Sequence, residues 1–462
     1  MRISLLTSGF LPVTGLAALL STSQLVACSD PVGPTPKSNE PVVIGVTMGS
    51  TGTLASITQQ LRLAIRLAER QVNSNGGILN GRPLVFDIQD DTSSTDVSAE
   101  SGVLKRTFDG LFDRRAVGAI GPIGSGQVEA LGPLFGAEQR VVLSPSATLE
   151  SLTSSGSYGG YFFRTAPSDT RQVKVLVNIL TRGATLDFQV GSNPCQKLGV
   201  FYTNTPYSRG LAEGLKTAWN AASGGNTVDL VEPVPGNEPG DDFDPAVAFF
   251  KTKAPSCLAV LSYQGAASSF LRKLAGAEPT FFTALKLRVG GEALYSNDFV
   301  TAANQGIGTG TKPAELFVGA APMPDRTRSS YLDWLRVLSA QDAQAASGNN
   351  AEFYFTSTYD AAILMALAAH KAKGQGGDEL RKALIDVSSP GSTTAPVNPL
   401  MSPLQLPDAL RAIDAGTDID YDGASGDCNF DTSGNVSTGF QVWRVENDAL
   451  AFKRAIPVRD LK

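Results

Sequence analysis

The sequence predicts an α/β protein made of two domains of related architecture. Continuous apolar runs of strand length alternate with amphipathic helical stretches, and the rhythm restarts after residue 165. Bulk composition agrees. The chain has 462 residues, 42% of them hydrophobic and 18% charged, as in a globular protein long enough for two or three domains.

The first block opens with the strand 42–47, Val-Val-Ile-Gly-Val-Thr. Next, Leu54, Ile57, Leu61, Ala64, Ile65, Ala68 and Val72 recur every three or four residues among Gln60, Arg62, Arg66, Glu69 and Arg70. That is an amphipathic helix, ended by the left-handed cap that glycine supplies at Asn75-Gly76-Gly77. A strand (83–88), a helix (94–112), a strand (116–120), a short helix (126–138) and a strand (140–143) follow. Strands separated by helices of this length form βαβ units on a parallel sheet. After Tyr161-Phe-Phe-Arg-Thr165 the second block runs through helix 170–182, strand 197–202, helix 208–222, strand 227–233, helix 243–253, strand 257–262 and helix 266–276. Residues 235–243 and 387–404 read as turn-rich loops, and 352–371 as a long helix with an Ala/Leu/Ile face.

Ahead of the first strand, a lone Arg2 precedes a short apolar stretch from Leu5-Leu6 to Leu19-Leu20, closing on Leu25-Val26-Ala27-Cys28. Gly9, Pro12 and Gly15 interrupt it, so it has the dimensions of an export signal rather than of a span of about 20 apolar residues. Residues 1–27 resemble a bacterial lipoprotein signal peptide with its lipobox, which implies cleavage before Cys28 and lipidation of its thiol. Residues 28–41 read as a Pro/Ser/Asn linker. Nothing after Cys28 is apolar for long enough to cross a bilayer. The lipid is therefore the expected membrane attachment, and the cell envelope or periplasm the expected location.

The formal net charge is −6 and there is no run of Lys or Arg, which argues against a nucleic-acid partner. Besides Cys28 the chain has Cys195, Cys257 and Cys428, and an oxidising compartment permits one bridge among them. Cys195 and Cys257 each precede an apolar strand, and the starts of neighbouring parallel strands bring Cα atoms within disulfide range, so this pair is the expected bridge. Cys428, in a loop, could claim either partner.

Catalysis finds little support. The single histidine, His370, lies between Ala369 and Lys371 near a helix C-terminus and reads as a surface residue favoured by the helix dipole. One histidine makes no Ser/His/Asp or Cys/His set and no His-based metal cluster, so no enzyme, metal or cofactor is expected. Asp90-Asp91 and Asp241-Asp242 read as helix caps or solvent-facing residues rather than proton-sharing dyads. The segment Gly118-Ala-Ile-Gly-Pro-Ile-Gly-Ser125-Gly126 is more informative. It follows a strand and opens a helix, where backbone N–H groups gather at a positive dipole end. Its spacing matches neither the dinucleotide fingerprint nor a triphosphate loop, which leaves a cradle for a small anion such as a carboxylate, with Ser125 adding a hydroxyl. A second such turn, Leu143-Ser-Pro-Ser146-Ala-Thr148, supplies more hydroxyls, and in an open parallel sheet both lie beyond the carboxyl ends of strands, where ligands bind.

Ile120-Gly-Pro-Ile-Gly-Ser125, Leu143 to Leu152 and Tyr161-Phe-Phe-Arg-Thr-Ala-Pro-Ser-Asp169 are similar to segments of the leucine/isoleucine/valine-binding family of periplasmic proteins, the type I solute-binding proteins of ABC importers. Tyr207-Ser-Arg-Gly-Leu-Ala212, Gly290-Gly-Glu-Ala-Leu-Tyr-Ser296, Tyr359-Asp-Ala-Ala, Ile419 to Gly426 and Phe430-Asp431 extend the resemblance in order over about 42–455. It implies two Rossmann-like lobes joined by three crossover segments around a ligand cleft, 42–164 with 320–430 forming lobe one and 165–319 with 431–462 lobe two. It further implies that Ser125, Ser146 and Thr148 bind a ligand carboxylate, that Glu292 pairs with its ammonium, and that Tyr207 and Tyr263 contact and close over it. The function implied is capture of a small amino-acid-like ligand, a branched-chain amino acid favoured, by a lipid-anchored monomer that delivers it to an ABC permease. A sensor of the same fold, and a binder of short amides, urea or aromatic acids, are the alternatives. The chain departs from branched-chain binders in the loop 49–56, which lacks an aromatic residue framing the side-chain pocket, and in added length at 184–196, 277–288 and 387–404.

Overall fold

The apolar runs of the first block become a sheet in the computed structural model. It describes residues 40–95, 97, 102–153, 157–182, 195–222, 229–230, 234–236, 242–307, 310–341, 352–391 and 398–461. The expected signal segment 1–27, the lipidation site Cys28 and most of the linker lie outside the described residues. In chain order come β1 (Val42–Thr47), α1 (Ala55–Ser74), β2 (Leu84–Gln89), α2 (Val103–Asp113), β3 (Ala116–Ile120), α3 (Ser125–Ala137), β4 (Val142–Ser144) and β5 (Phe162–Arg164). Their five strands form one parallel sheet in the order β2-β1-β3-β4-β5. Helix α1 buries Leu61, Ala64, Ile65, Ala68 and Val72, the stripe its sequence period predicts. Helix α2 begins nine residues later than its pattern suggests. Ser94 donates its N–H to the Asp91 carbonyl in a turn, and the helix starts only after Gly102.

The second block continues with α4 (Asp169–Arg182), β6 (Lys197–Thr203), α5 (Pro206–Ala222), the short β7 (Asp229–Leu230) and β8 (Val234–Gly236), and α6 (Asp244–Lys253). Then come β9 (Cys257–Leu261), α7 (Gln264–Ala277), α8 (Pro279–Ala284), β10 (Leu287–Gly290), α9 (Asn297–Asn304) and β11 (Val318–Met323). The chain goes on through α10 (Ser329–Gln341), α11 (Glu352–Lys371), α12 (Gly377–Asp386), β12 (Leu400–Met401), α13 (Leu406–Asp414) and β13 (Asp420–Tyr421), and ends in the hairpin β14 (Gly439–Glu446) and β15 (Ala449–Ile456). The second sheet has the order β15-β14-β11-β10-β9-β6-β7, with β8 also on β6. Its hairpin is antiparallel to β11 and turns at Asn447-Asp448, both in the left-handed region that such two-residue turns demand.

The molecule is a two-lobed α/β fold. The chain passes from the first sheet to the second after β5, returns after β11 to lay α10–α13 against the first core, and crosses again before β14. Helix α11 is buried all round rather than on one face. Phe355 through His370 are all buried, as befits a helix enclosed by α1, α12 and the sheet.

Two sequence expectations change. His370 is a buried staple, only 4% exposed, and not a surface residue. Its Nδ1 accepts the Leu79 N–H at 3.0 Å, so the ring proton sits on Nε2 and reaches Asp414 Oδ1 at 2.9 Å. Replacing His370 with alanine orphans a backbone donor at the left-handed Leu79 turn. We expect a stability loss of about 1–3 kcal/mol, read as a lower urea midpoint at unchanged slope. Cys195 and Cys257 do meet at the starts of adjacent strands, but as thiols in hydrogen-bonding contact without a disulfide, and Cys428 is likewise an unbridged buried thiol. The Cys257 thiol is held below its usual value by that contact, while burial raises Cys195.

Candidate functional site

Between the ends of the two sheets lies a cavity of about 560 Å³ whose walls come from both lobes. Its floor on the first side is the turn after β3. Gly121 has φ +87°, and a Cβ there would sit 2.1 Å from the Thr47 carbonyl oxygen, so the tight turn requires glycine. The turn delivers Ser125 to the start of α3, whose first N–H groups have no intrahelical acceptors. Ser125 Oγ accepts the Leu149 N–H at 3.3 Å, which leaves its own proton for the cavity. Ser146 Oγ donates to the Ile123 carbonyl at 2.8 Å and locks the two turns together.

Thr148 is held from behind. The buried Arg164 donates to the carbonyls of Ala147 (3.2 Å) and Leu149 (2.8 Å), the residues on either side of it. The same guanidinium reaches Thr153 Oγ1 and Asn435 Oδ1. Burial lowers its pKa to about 10, so it stays charged at neutral pH.

The opposite wall belongs to the second lobe. Tyr207, in the first turn of α5, lies 5.1 Å from Tyr263 between ring centroids, and Tyr263 leads into α7. Glu292 follows β10 and is 6% exposed. It accepts a hydrogen bond from the Gln172 amide of α4. Burial pushes its carboxyl above the usual range against the effect of that bond and of the Tyr207 and Tyr354 hydroxyls. All six residues expected at a ligand, Ser125, Ser146, Thr148, Tyr207, Tyr263 and Glu292, therefore line one cavity. Hydroxyls and helix N–H groups stand on one side, and a buried carboxylate on the other.

Several residues here were not singled out in advance. Leu54 and Ile57 give the cavity an apolar wall where the expected aromatic is missing, and Phe353 and Tyr354 bring aromatic rings from the start of α11. Asp90, expected to cap or face water, orders the first loop by accepting the N–H groups of Ser50 (2.8 Å) and Thr92 (2.8 Å). Asp91 is buried against Thr47 and the Ser93 N–H, and burial raises its pKa. Asp242 accepts the N–H of Asp244 in the turn that leads into α6, and Asp241 lies outside the described residues. No group of three or more metal-ligating side chains occurs among the described residues, and no described helix is long and apolar enough to cross a membrane.

Comparison with known proteins agrees with this fold. A family model described as "Periplasmic binding protein" matches residues 41–403. The chain is 24% identical over 413 residues to a substrate-binding protein of the chemotactic signal transduction system of Halobacterium salinarum, covering 88% of this chain and 87% of that one. It is 25% identical over 338 residues to a Leu/Ile/Val-binding protein of Rhizobium johnstonii, covering 73% and 81%. In fold it resembles a leucine binding protein from Thermotoga maritima, with a TM-score of 0.68 at 14% identity over 91% of this chain and 99% of the other.

Proposed function

We propose that this chain, which belongs to the periplasmic binding protein family, captures a small amino-acid-like ligand outside the cytoplasm and delivers it to an ABC permease. A branched-chain amino acid is the favoured ligand. The observation that carries the reading is the single cavity with hydroxyl donors from one lobe and a buried carboxylate from the other. A zwitterion needs donors at one end and an acceptor charge at the other, and both of its charges need partners once desolvated. The carboxylate would lie against Ser125, Ser146 and Thr148 and the ammonium against Glu292, with Tyr207 and Tyr263 closing over them. Leu54, Ile57 and Phe353 suit an apolar side chain, and the Leu/Ile/Val-binding relative supports that choice. The first sheet with α10–α13, and the second sheet with all of β11 and the C-terminal hairpin, would move as two bodies about the three crossovers, so the first body resumes after Met323 rather than at 320. A ligand touching both favours the closed state in proportion to its differential affinity. The protein would act as a monomer, held to the membrane by a lipid on Cys28.

A sensor is the second reading, favoured by the relative from a chemotactic signalling system. Both readings share the ligand site, which a thermal-shift screen tests directly. Leucine, isoleucine or valine is expected to raise the melting temperature, with about 2.7 kcal/mol of stabilisation at a hundred times the dissociation constant. Stabilisation by benzoates or short amides, and by no amino acid, would sink the amino-acid reading while leaving the fold intact.

A further inference from the structure

We propose that the cavity reads a second polar group of its ligand through Gln441, so that amino acids with an uncharged hydrogen-bonding side chain, such as glutamine, are ligands alongside the branched-chain ones. The inference rests on the amino-acid head-group reading above and extends it to the far end of the ligand's side chain.

Gln441 lines the cavity from β14 and is 4% exposed. Side chains of β14 alternate between faces. Phe440 and Val442 enter one core of the second lobe, and Trp443 and Val445 the other. Gln441 belongs to the Trp443 face, and its partner across the ladder is Ala321 of β11, itself a cavity residue. A glutamine therefore stands at the end of a buried apolar row, where a polar group needs partners. Among the described residues the partner of its amide is the hydroxyl of Tyr295, whose ring stands 5.8 Å from the indole of Trp443 between centroids. A primary amide has two N–H donors and two acceptor lone pairs, so one hydroxyl leaves most of them open, and the space beside them is the cavity. Tyr295 lines the same cavity, and its N–H donates to the Glu292 carbonyl at 2.9 Å. The carboxylate that faces the ammonium and the hydroxyl beside Gln441 thus share one tight turn.

Charge decides which polar group fits. Glu352 brings a carboxylate to the cavity wall, but Arg326 compensates it, with Nε 3.2 and 3.1 Å from its two oxygens. The Tyr331 hydroxyl donates to the same carboxylate. Among the described residues no lysine, arginine or histidine lines the cavity. A side-chain carboxylate would be desolvated there without a cation, whereas an amide or hydroxyl exchanges hydrogen bonds with Gln441 and Tyr295 and brings no charge to compensate. Burial holds the Tyr295 hydroxyl protonated, so it remains a donor at neutral pH. Glutamine meets these conditions. Glutamate has nearly the same volume and fails on charge. Methionine has a similar length and leaves the Gln441 amide unfilled.

Isothermal titration of the full chain with L-glutamine, L-glutamate, L-methionine and L-leucine tests the assignment. Glutamine is expected to bind at least about tenfold more tightly than glutamate or methionine, because only glutamine fills the buried amide. In Q441L, its fold checked by circular dichroism, the ratio of glutamine to methionine affinity is expected to fall to about one. A ratio that Q441L leaves as in the wild type overturns the proposal. Should Q441L fail to fold, the wild-type series decides, and equal affinity for glutamine and methionine overturns it. Leucine binding without glutamine binding overturns this inference alone and leaves the head-group reading standing. If no amino acid binds, the head-group reading falls and this inference falls with it.

Discussion

Glu292→Ala is expected to weaken amino-acid binding at least about tenfold, and by as much as the 2–5 kcal/mol seen when one member of a buried charge pair is removed. Glu292 is almost wholly enclosed, so its interaction with an ammonium is little screened by solvent. The alanine variant also strips Gln172 of the acceptor for its amide. Glu292→Gln separates the two effects, because a glutamine carbonyl still accepts from Gln172 while the charge is gone. A loss common to both variants is electrostatic, and one confined to alanine is packing. Isothermal titration with leucine reads the difference, and wild-type affinity in both variants would remove Glu292 from the site.

Arg164→Met is expected to cost about 3–5 kcal/mol of folding stability, the scale for breaking a buried charged network from one side. Methionine fills much of the volume but orphans the carbonyls of Ala147 and Leu149, Thr153 Oγ1 and Asn435 Oδ1, and leaves Asp169 without its buried counter-charge. Because two of those bonds flank Thr148, ligand affinity should fall together with stability. Arg164→Lys should restore little, since one ammonium cannot span acceptors that a guanidinium reaches from three nitrogens. Urea denaturation with the slope monitored gives the stability term, and titration at a temperature where the variant is folded gives the affinity. A stability loss under about 1 kcal/mol with unaltered affinity would show that the 147–149 loop holds its shape without Arg164.

Much of the first sheet was readable from periodicity, because its inner strands are buried on both faces and their apolar runs are bounded by glycine and proline turns. The C-terminal hairpin was not read. Its outer strand is largely exposed, with Phe452 at 53%, so it carries no continuous apolar signal, and only Asn447-Asp448 hinted at a turn. The start of α2 was misplaced because Ser94 is tied into the Asp91 turn, a bond the helical pattern does not reveal. His370 was misread because its two partners, Leu79 and Asp414, are remote in sequence and approach only when α1, α11 and α13 assemble.

The candidate site divides along the same line. Ser125, Ser146 and Thr148 could be named from sequence because each belongs to a turn after a strand, where hydroxyls and free N–H groups lie close together in the chain. Gln172, Tyr354, Gln441 and Arg164 could not be given roles, since nothing local distinguishes a polar side chain that tertiary contacts bury from one that faces water. Sequence alone determined most strands and helices of the first block and which turns present donors, because those depend on neighbours within a few residues. Tertiary structure alone decided that Glu292 and Gln172, remote in sequence, share a buried corner, since desolvation and the pairing of polar groups exist only once distant segments have excluded the water between them.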